Sequence, residues 1–167
     1  METGLSLGSN LGDRLANLSA AKKQILAIPG VKLLAQSPVY ETDPVGVRPE
    51  YKELKFLNVI LVVDGPWDAH SWFDRLRAIE GNMGRHRGLD RFAPRAIDID
   101  IIYVGDVHIE SGGLVVPHPR WMERRFVVQP LADVRPDLLL PGMKRTVKQV
   151  LDALPEGDGV ALLTRDW

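Results

Sequence analysis

Two aspartates on one face of a predicted strand are the residues of this chain best suited to chemistry. Residues 96–103 read Ala-Ile-Asp-Ile-Asp-Ile-Ile-Tyr, an alternation typical of a β-strand. Side chains two positions apart share a face, so Asp98 and Asp100 point the same way, with Cα atoms about 6.6 Å apart. Ionised carboxylates at this separation repel unless a cation lies between them, and oxygen ligands suit a hard ion such as Mg²⁺. The alternative is a solvated strand face, which the scarcity of Asp in strands disfavours.

An arginine-rich segment leads directly into this strand. Four arginines lie between positions 85 and 95, with one acidic residue opposing them: Arg85, Arg87, Arg91 and Arg95, against Asp90. Guanidinium groups bind phosphate through two parallel hydrogen bonds and keep their charge. Gly84, Gly88 and Pro94 predict a loop, whose alternative role is that of a solvated charged surface. Next to paired metal ligands, the segment indicates phosphoryl transfer, with metal and fixed cations on the phosphate oxygens.

Three further polar residues occur in apolar or rigid surroundings. Asn58 interrupts the apolar strand 56–63, where it either bonds to neighbouring backbone or offers a donor and an acceptor to a planar heterocycle, with Phe56 on the same face to stack on the ring. Glu80 continues an apolar helix stripe, which predicts that its carboxylate points inward. A structural role, in which it bonds to nearby backbone or arginine, is favoured over a direct catalytic role. His118, between two prolines, is either structural or a phosphate donor.

Composition limits the possible classes of protein. The 167 residues suit one domain, 1–167, and the net charge of −1 argues against a general nucleic-acid or membrane-surface binder. There is no cysteine, hence no disulfide and no thiolate metal site. No apolar run approaches 18 residues and no signal peptide is evident, so we expect a cytoplasmic protein. No P-loop or dinucleotide-binding glycine motif occurs.

The order of predicted elements indicates the fold. Strands are expected at 4–7, 31–40, 56–63, 96–103 and 160–163, and the main helices after Asp13, after Pro66 and at 146–154. Residues 41–55 predict a polar loop, and prolines punctuate the C-terminal third. Strand-helix-strand-strand-helix-strand is the order of a ferredoxin-like α+β sandwich. The second and third strands are joined by a loop too short for a helix, so they should pair antiparallel.

Taken together, these segments resemble the 6-hydroxymethyl-7,8-dihydropterin pyrophosphokinase family of folate biosynthesis. The matching stretches occur in the family's order and span most of the chain: Leu7 to Gly12, Ser37 to Gly46, Phe56 to Asn58, Glu80 with Gly84-Arg85, Ala93 to Asp100, and Val116 to Pro119 with Arg124 and Phe126. The resemblance implies a three-layer α/β/α form of the fold with a mostly antiparallel sheet. It also implies transfer of pyrophosphate from ATP, the co-substrate, to the hydroxymethyl group of a reduced pterin, with release of AMP. Two Mg²⁺ ions are implied as cofactors.

The resemblance also assigns roles by position. Asp98 and Asp100 match metal ligands, and Arg85 and Arg95 match catalytic arginines. The positions implied for pterin binding are Thr42, Asp43, Val45, Phe56, Asn58 and Phe126. The positions implied for ATP binding are Arg85, Arg87, Phe92, Arg95, Ile101, His118 and Arg124. Glu80 is assigned a structural role next to the site. The partners implied are the small-molecule substrates alone, without nucleic acid or membrane, and we expect a monomer.

Departures from the family pattern and rival functions stay open on the sequence. Phe92 stands where many members have Trp, Asp43 replaces a frequent Pro, and Pro119 replaces a tyrosine. A two-metal nucleotidyltransferase would use the same paired aspartates but release pyrophosphate. A non-catalytic ferredoxin-like module that binds RNA or a small ligand is the third hypothesis, although the sheet aromatics expected for RNA stacking are missing. No residue stands out as a general base.

Overall fold

The chain forms a layered arrangement of strands and helices in the computed structural model, which describes residues 1–44, 49–51, 53–84, 94–156 and 159–167. The strands within these ranges are β1 (Glu2–Ser9), β2 (Lys32–Gln36), β3 (Val39–Thr42), β4 (Phe56–Asp64), β5 (Asp98–Val104), β6 (Ile109–Ser111), β7 (Leu114–Val116) and β8 (Val160–Thr164). The helices are α1 (Arg14–Leu26), α2 (Ala69–Asn82), α3 (Arg125–Val134) and α4 (Val147–Ala153). None of these helices is long and apolar enough to cross a membrane.

The main sheet has the order β5-β1-β4-β3-β8, and β2 also pairs with β4. All its pairings within the described ranges are antiparallel, which confirms the predicted antiparallel sheet. The single strand expected at 31–40 is wrong, because the chain breaks into β2 and β3 at Ser37-Pro38. Pro38 has no N–H for a ladder. Ser37 replaces the regular pairing by donating its N–H to the Ile60 carbonyl and accepting the Ile60 N–H at its hydroxyl, at 2.9 and 2.8 Å.

Helices cover both faces of the sheet, as the three-layer prediction requires. One core packs α1 and α2, including Trp72, against alternate residues of β1 and β4, including Leu5 and Leu7. The other packs α3 and α4 against the opposite face, around Ile60 and Val62. The apolar run of β4 follows from this position, because a strand between two helical layers is buried on both faces.

Local sequence signals start and interrupt the helices. Asp13 caps α1 by accepting the Ala16 N–H at 3.1 Å, as predicted. After Pro66 the helix begins at Ala69, with Asp68 as its cap. The prolines of the C-terminal third do not all lie between helices, because Pro130 lies inside α3. The ring removes the N–H that would otherwise bond to the carbonyl of Phe126 in the first helical turn.

A β-bulge in β5 sets which side chains face which core. Leu5 pairs with Ile101 but Gly4 pairs with Tyr103, so β5 holds one extra residue at this point. Before the bulge, Ile99 and Ile101 enter the first core. After it, Tyr103 turns to the second core and lies directly over Gly4, where an added Cβ would sit 2.2 Å from its ring. The half of β5 before the bulge therefore carries the two aspartates, and the half after it is apolar.

Candidate active site

The centre of the candidate site is a row of three residues across neighbouring strands. Gly8 of β1 lies opposite Asn58 of β4 on one side and opposite Asp98 of β5 on the other. Directly paired residues project from the same face of a sheet, and adjacent strands are about 4.8 Å apart, so the Cα atoms of Asn58 and Asp98 are roughly 10 Å apart. One step along, Ser6 lies opposite Asp100. Both predicted metal ligands thus share a face with the predicted pterin-binding amide.

Strand β1 presents small residues on this face because its residues alternate in size. Leu5 and Leu7 point into the first core, whereas Ser6 and Gly8 lie on the face of the row. Between Asn58 and Asp98, β1 therefore contributes no large side chain. The alternation was visible in the sequence, but its use depends on β1 lying between the other two strands, which only the topology shows.

The predicted pterin residues cluster at the β3–β4 end of the row. Asn58 Nδ2 donates to Thr42 Oγ1, and the two residues are only 5% and 2% exposed. The amide nitrogen of Asn58 is therefore bonded to a side chain. Phe56 lies opposite Thr42 and is half-buried. Phe126, in the first turn of α3, packs against the second core.

The ends of the predicted pterin loop are also fixed. Asp43 donates its N–H to the carbonyl of Gly159 at 2.8 Å, and its carboxylate lies 3.6 Å from Lys55 Nζ. The replacement of a frequent family proline by Asp43 therefore supplies two contacts that a proline cannot make. Val45 lies outside the described residues.

Arg95 is held at the other end of the row by a residue that the sequence did not single out. Asn10 Oδ1 accepts the Arg95 N–H at 2.8 Å, and the Asn10 N–H donates to the Arg95 carbonyl at 3.2 Å. Asn10 is only 4% exposed. The guanidinium of Arg95 then reaches Asp98, with Nη1 3.4 Å from Oδ2. The one available signal was the polar pair Ser9-Asn10 directly after an apolar strand.

His118 presents a neutral imidazole close to this charge cluster. The backbone N–H of His118 donates to the Ile102 carbonyl at 2.9 Å, and the ring Nδ1 accepts the backbone N–H of Arg120 at 3.1 Å. Burial, helped by the charges of Arg124 and Arg120 and opposed by Asp98, lowers the pKa of His118 to about 4. At neutral pH the ring is uncharged, and because Nδ1 accepts, Nε2 carries the proton and can donate.

A cleft of about 190 Å³ runs along the outer edge of β5, away from β1. Its walls come from α2, from β5 and from the turn and strand before His118: Phe73, Leu76, Arg77, Ile99, Asp100, Ile101, Gly113, Leu114, Val115, His118 and Pro119. It thus joins Ile101 and His118, two predicted ATP contacts, to a metal-ligand position. Glu80 is buried as predicted, 3.8 Å from Arg77 Nη1 behind the cleft. Arg124 stacks 5.6 Å from the centre of the Phe126 ring.

The remaining predicted residues cannot be placed. Arg85, Arg87 and Phe92 lie outside the described residues, as does Arg91. Among the residues the structure describes, the site therefore contains paired carboxylates, an arginine that forms an ion pair with Asp98, a neutral imidazole donor and a cleft. Paired carboxylates and fixed cations beside a cleft, on an antiparallel sheet covered on both faces, define a phosphotransferase of the α+β class.

Comparison with known proteins gives the family. A family model described as 7,8-dihydro-6-hydroxymethylpterin-pyrophosphokinase (HPPK) matches residues 4–136, and the chain belongs to this family. Members are diphosphotransferases that pass pyrophosphate from ATP to hydroxymethyldihydropterin in folate synthesis, and this is the activity of the chain. The resemblance stated from the sequence is confirmed.

Individual relatives agree over most of the chain. A 2-amino-4-hydroxy-6-hydroxymethyldihydropteridine pyrophosphokinase of Methylorubrum extorquens is 37% identical over 92% of this chain and 94% of its own length. The Pseudomonas aeruginosa protein of the same name is 36% identical, covering 90% of both chains. The crystal structure of Plasmodium falciparum HPPK-DHPS with pteroate superposes with a TM-score of 0.69 at 16% identity. That match covers 90% of this chain and 42% of the Plasmodium chain, and it shows a shared fold.

Proposed function

We propose that this chain performs pyrophosphoryl transfer across the row formed by Asn58, Gly8 and Asp98, with the pterin bound at the β4 end and the triphosphate at the β5 end. The observation that carries the proposal is the register itself, which puts a buried amide and two aspartates on one face with only small side chains between them. A substrate lying over Gly8 spans from the amide to the carboxylates. The reacting hydroxyl and the phosphate chain then meet beside Asp98.

Pterin recognition rests on Asn58, Thr42 and two aromatic rings. Because Asn58 Nδ2 is already bonded to Thr42, its Oδ1 is the atom left to accept a hydrogen bond from the amino or ring N–H groups of the pterin. Phe56 and Phe126 stack on the two faces of the ring system. The backbone near Asp43 and Val45 completes the slot.

Phosphate binding rests on Asp98, Asp100 and the arginines. The two carboxylates on one strand face match the oxygen ligands that Mg²⁺ prefers, and the ion pair between Arg95 and Asp98 supports a cation at this position. We propose that Asp98 and Asp100 hold two Mg²⁺ ions, which when bound neutralise phosphate oxygens and orient the β-phosphorus. Arg95, together with Arg85 and Arg87, then binds the phosphate chain and excludes water.

The nucleotide occupies the cleft beside β5. Ile101 offers an apolar wall, Arg124 offers positive charge, and His118 Nε2–H donates to a phosphate or ribose oxygen without adding charge at neutral pH. Phe92, in the arginine-rich segment, is proposed as a further nucleotide contact. The residues are positioned before the reaction, which suits a transfer that depends on alignment and charge stabilisation.

The deciding experiment is mass analysis of the products from ATP, Mg²⁺ and 6-hydroxymethyl-7,8-dihydropterin. We expect AMP and the pterin diphosphate in equal amounts, whereas a nucleotidyltransferase would release pyrophosphate. Asp98→Asn should lower turnover by about a hundredfold or more, since it weakens a charge-neutralising ligand. The matched control is Asp106→Asn in the exposed turn after β5, which should leave turnover unchanged. Equal turnover of the two variants would remove the metal-binding role of Asp98.

We further propose a monomer that works in the cytoplasm on its small-molecule substrates, without nucleic acid or membrane. Sedimentation at working concentration tests this, because a dimer whose dissociation abolishes turnover would contradict it.

A further inference from the structure

We propose that Gly8 is a positioning residue for pterin recognition: the absence of a side chain at this point keeps the amide of Asn58 facing the substrate. The inference rests on the function proposed above and adds a residue to it. Gly8 has no side chain that could form a hydrogen bond or carry charge, and its proposed contribution comes from the space above its Cα.

The backbone does not require glycine at this position. Gly8 lies near the end of β1 but is still paired on both sides, with Asn58 and with Asp98. It is absent from the glycines with positive φ among the described residues, which are Gly12, Gly30, Gly84, Gly105, Gly112, Gly113, Gly142 and Gly159. A side chain is therefore conformationally acceptable, and glycine in a strand interior is mildly destabilising. The reason for glycine must lie in what a side chain would meet.

A Cβ at Gly8 would meet the pterin end of the row and not the metal end. It would lie 2.9 Å from Asn58 Oδ1 and 3.4 Å from Phe56 Cδ1. The next contact, at 3.8 Å, is again with Phe56. No atom of Asp98 is among these three nearest neighbours, although Asp98 is the opposite cross-strand partner of Gly8.

Asn58 cannot move aside without losing its own support. Its Nδ2 donates to the buried hydroxyl of Thr42, and rotation away from a new methyl group would break this bond and leave a buried polar pair unsatisfied. The displaced atom is Oδ1, the acceptor proposed for the pterin. Alanine at position 8 should therefore impair pterin binding selectively, while Asp98 and the nucleotide cleft stay as they are.

The test measures two affinities by calorimetry: that for hydroxymethyl-dihydropterin, and that for a non-hydrolysable ATP analogue with Mg²⁺. Gly8→Ala should weaken pterin binding by about tenfold to a hundredfold, as overpacking of a filled site does, and change analogue binding by less than about threefold. Gly81→Ala is the matched control, because a Cβ there meets nothing within 4 Å. It should change neither affinity.

A double-mutant cycle distinguishes this role from a general packing defect. If the methyl group acts by displacing the amide, Gly8→Ala should lower pterin affinity by less than about threefold when Asn58 is already alanine. The double variant also removes the clash, so it stays measurable should Gly8→Ala alone fold poorly. An undiminished loss in that background would overturn the inference, as would an equal loss of both ligands. A wild-type protein that binds no pterin would instead overturn the proposed function, whatever Gly8 does.

Discussion

At the scale of single residues, the site depends on groups that position other side chains. Asn10 brackets the backbone of Arg95 with two hydrogen bonds, and Arg95 carries the guanidinium that reaches Asp98. The side-chain oxygen of Asn10 is the acceptor for the Arg95 N–H. This buried acceptor fixes the position at which the arginine-rich segment rejoins the sheet. The direction of the Arg95 side chain toward Asp98 depends on that position.

Asn10→Ala should therefore lower kcat by about tenfold, with a smaller effect on the KM for ATP, because a misplaced arginine loses more in the transition state than in the ground state. Asn10→Asp keeps the acceptor oxygen and should restore most of the rate. Hydrogen exchange of the Arg95 amide supplies a second measurement, which should speed up in the alanine variant and stay slow in the aspartate variant. Equal rates of turnover and exchange in both variants would show that the bond does not position Arg95.

The residues that the sequence made predictable are those whose type conflicts with their surroundings. Asp98 and Asp100 interrupt an isoleucine run, and Asn58 interrupts an apolar strand. Gly8 and Asn10 gave no such conflict, because glycine and asparagine at the end of a strand are ordinary. Their roles arise from cross-strand neighbours 50 to 90 positions away, which strand periodicity alone does not reveal.

At the scale of elements, helix α1 connects the two ends of the predicted pterin loop. Arg14 Nη2 lies 2.9 Å from the carboxylate of Glu41, at the end of β3. Arg14 Nη1 donates to the carbonyl of Lys55, just before β4, at 3.0 Å. The Asp43–Lys55 ion pair joins the same two ends. Together these contacts hold the base of the loop where Thr42 and Phe56 face each other.

Arg14→Ala should loosen the base of this loop and weaken pterin binding by about threefold to tenfold, whereas ATP-analogue binding should stay within twofold. The effect on the free energy of unfolding should be small, below about 1 kcal/mol, because both contacts are partly solvated. Arg14→Lys is the comparison, since lysine keeps the charge toward Glu41 but cannot form both contacts with one planar group. The pterin affinity of Arg14→Lys should fall between that of the wild type and that of Arg14→Ala. Calorimetric titrations in which all three bind pterin equally would show that α1 does not support the loop.

Element type was more predictable than element boundaries. The cap at Asp13 and the strand at β4 follow from local signals, which act within a few residues. The division of 31–40 depended on Ser37 replacing a backbone pairing, and the bulge in β5 depended on Tyr103 finding space over Gly4. Both are tertiary effects, in which a distant strand decides the local geometry.

At the scale of the whole molecule, Glu2 connects three parts of the fold that are distant in sequence. Arg135, which follows α3, donates to both carboxylate oxygens of Glu2, at 3.0 and 3.3 Å. Tyr103 of β5 donates its hydroxyl to the same group at 2.6 Å. The strand that carries Gly8, the strand that carries Asp98 and the helix that carries Phe126 are thus joined at the end of the sheet remote from the row.

This network should make the stability of the whole protein depend on pH in the acid range. Burial acts to raise the pKa of Glu2, but the hydrogen bonds from Arg135 and Tyr103 outweigh it and the pKa is lowered. A carboxyl whose pKa is lower in the folded state stabilises the fold above its unfolded pKa of about 4.3, and this contribution disappears as the pH falls through the folded pKa. Glu2→Gln should therefore cost about 1 kcal/mol of unfolding free energy at pH 7.

Urea unfolding from pH 7 down to pH 3 measures this dependence. The difference between wild type and Glu2→Gln should stay constant down to about pH 5 and shrink below it, as the wild-type carboxylate takes up a proton. Glu110→Gln is the control, because Glu110 is exposed on β6 outside the network, and its unfolding curve should follow the wild type throughout. A Glu2→Gln deficit that stays the same down to pH 3 would show that shape and packing at this corner, and not the charge on Glu2, hold the three segments together.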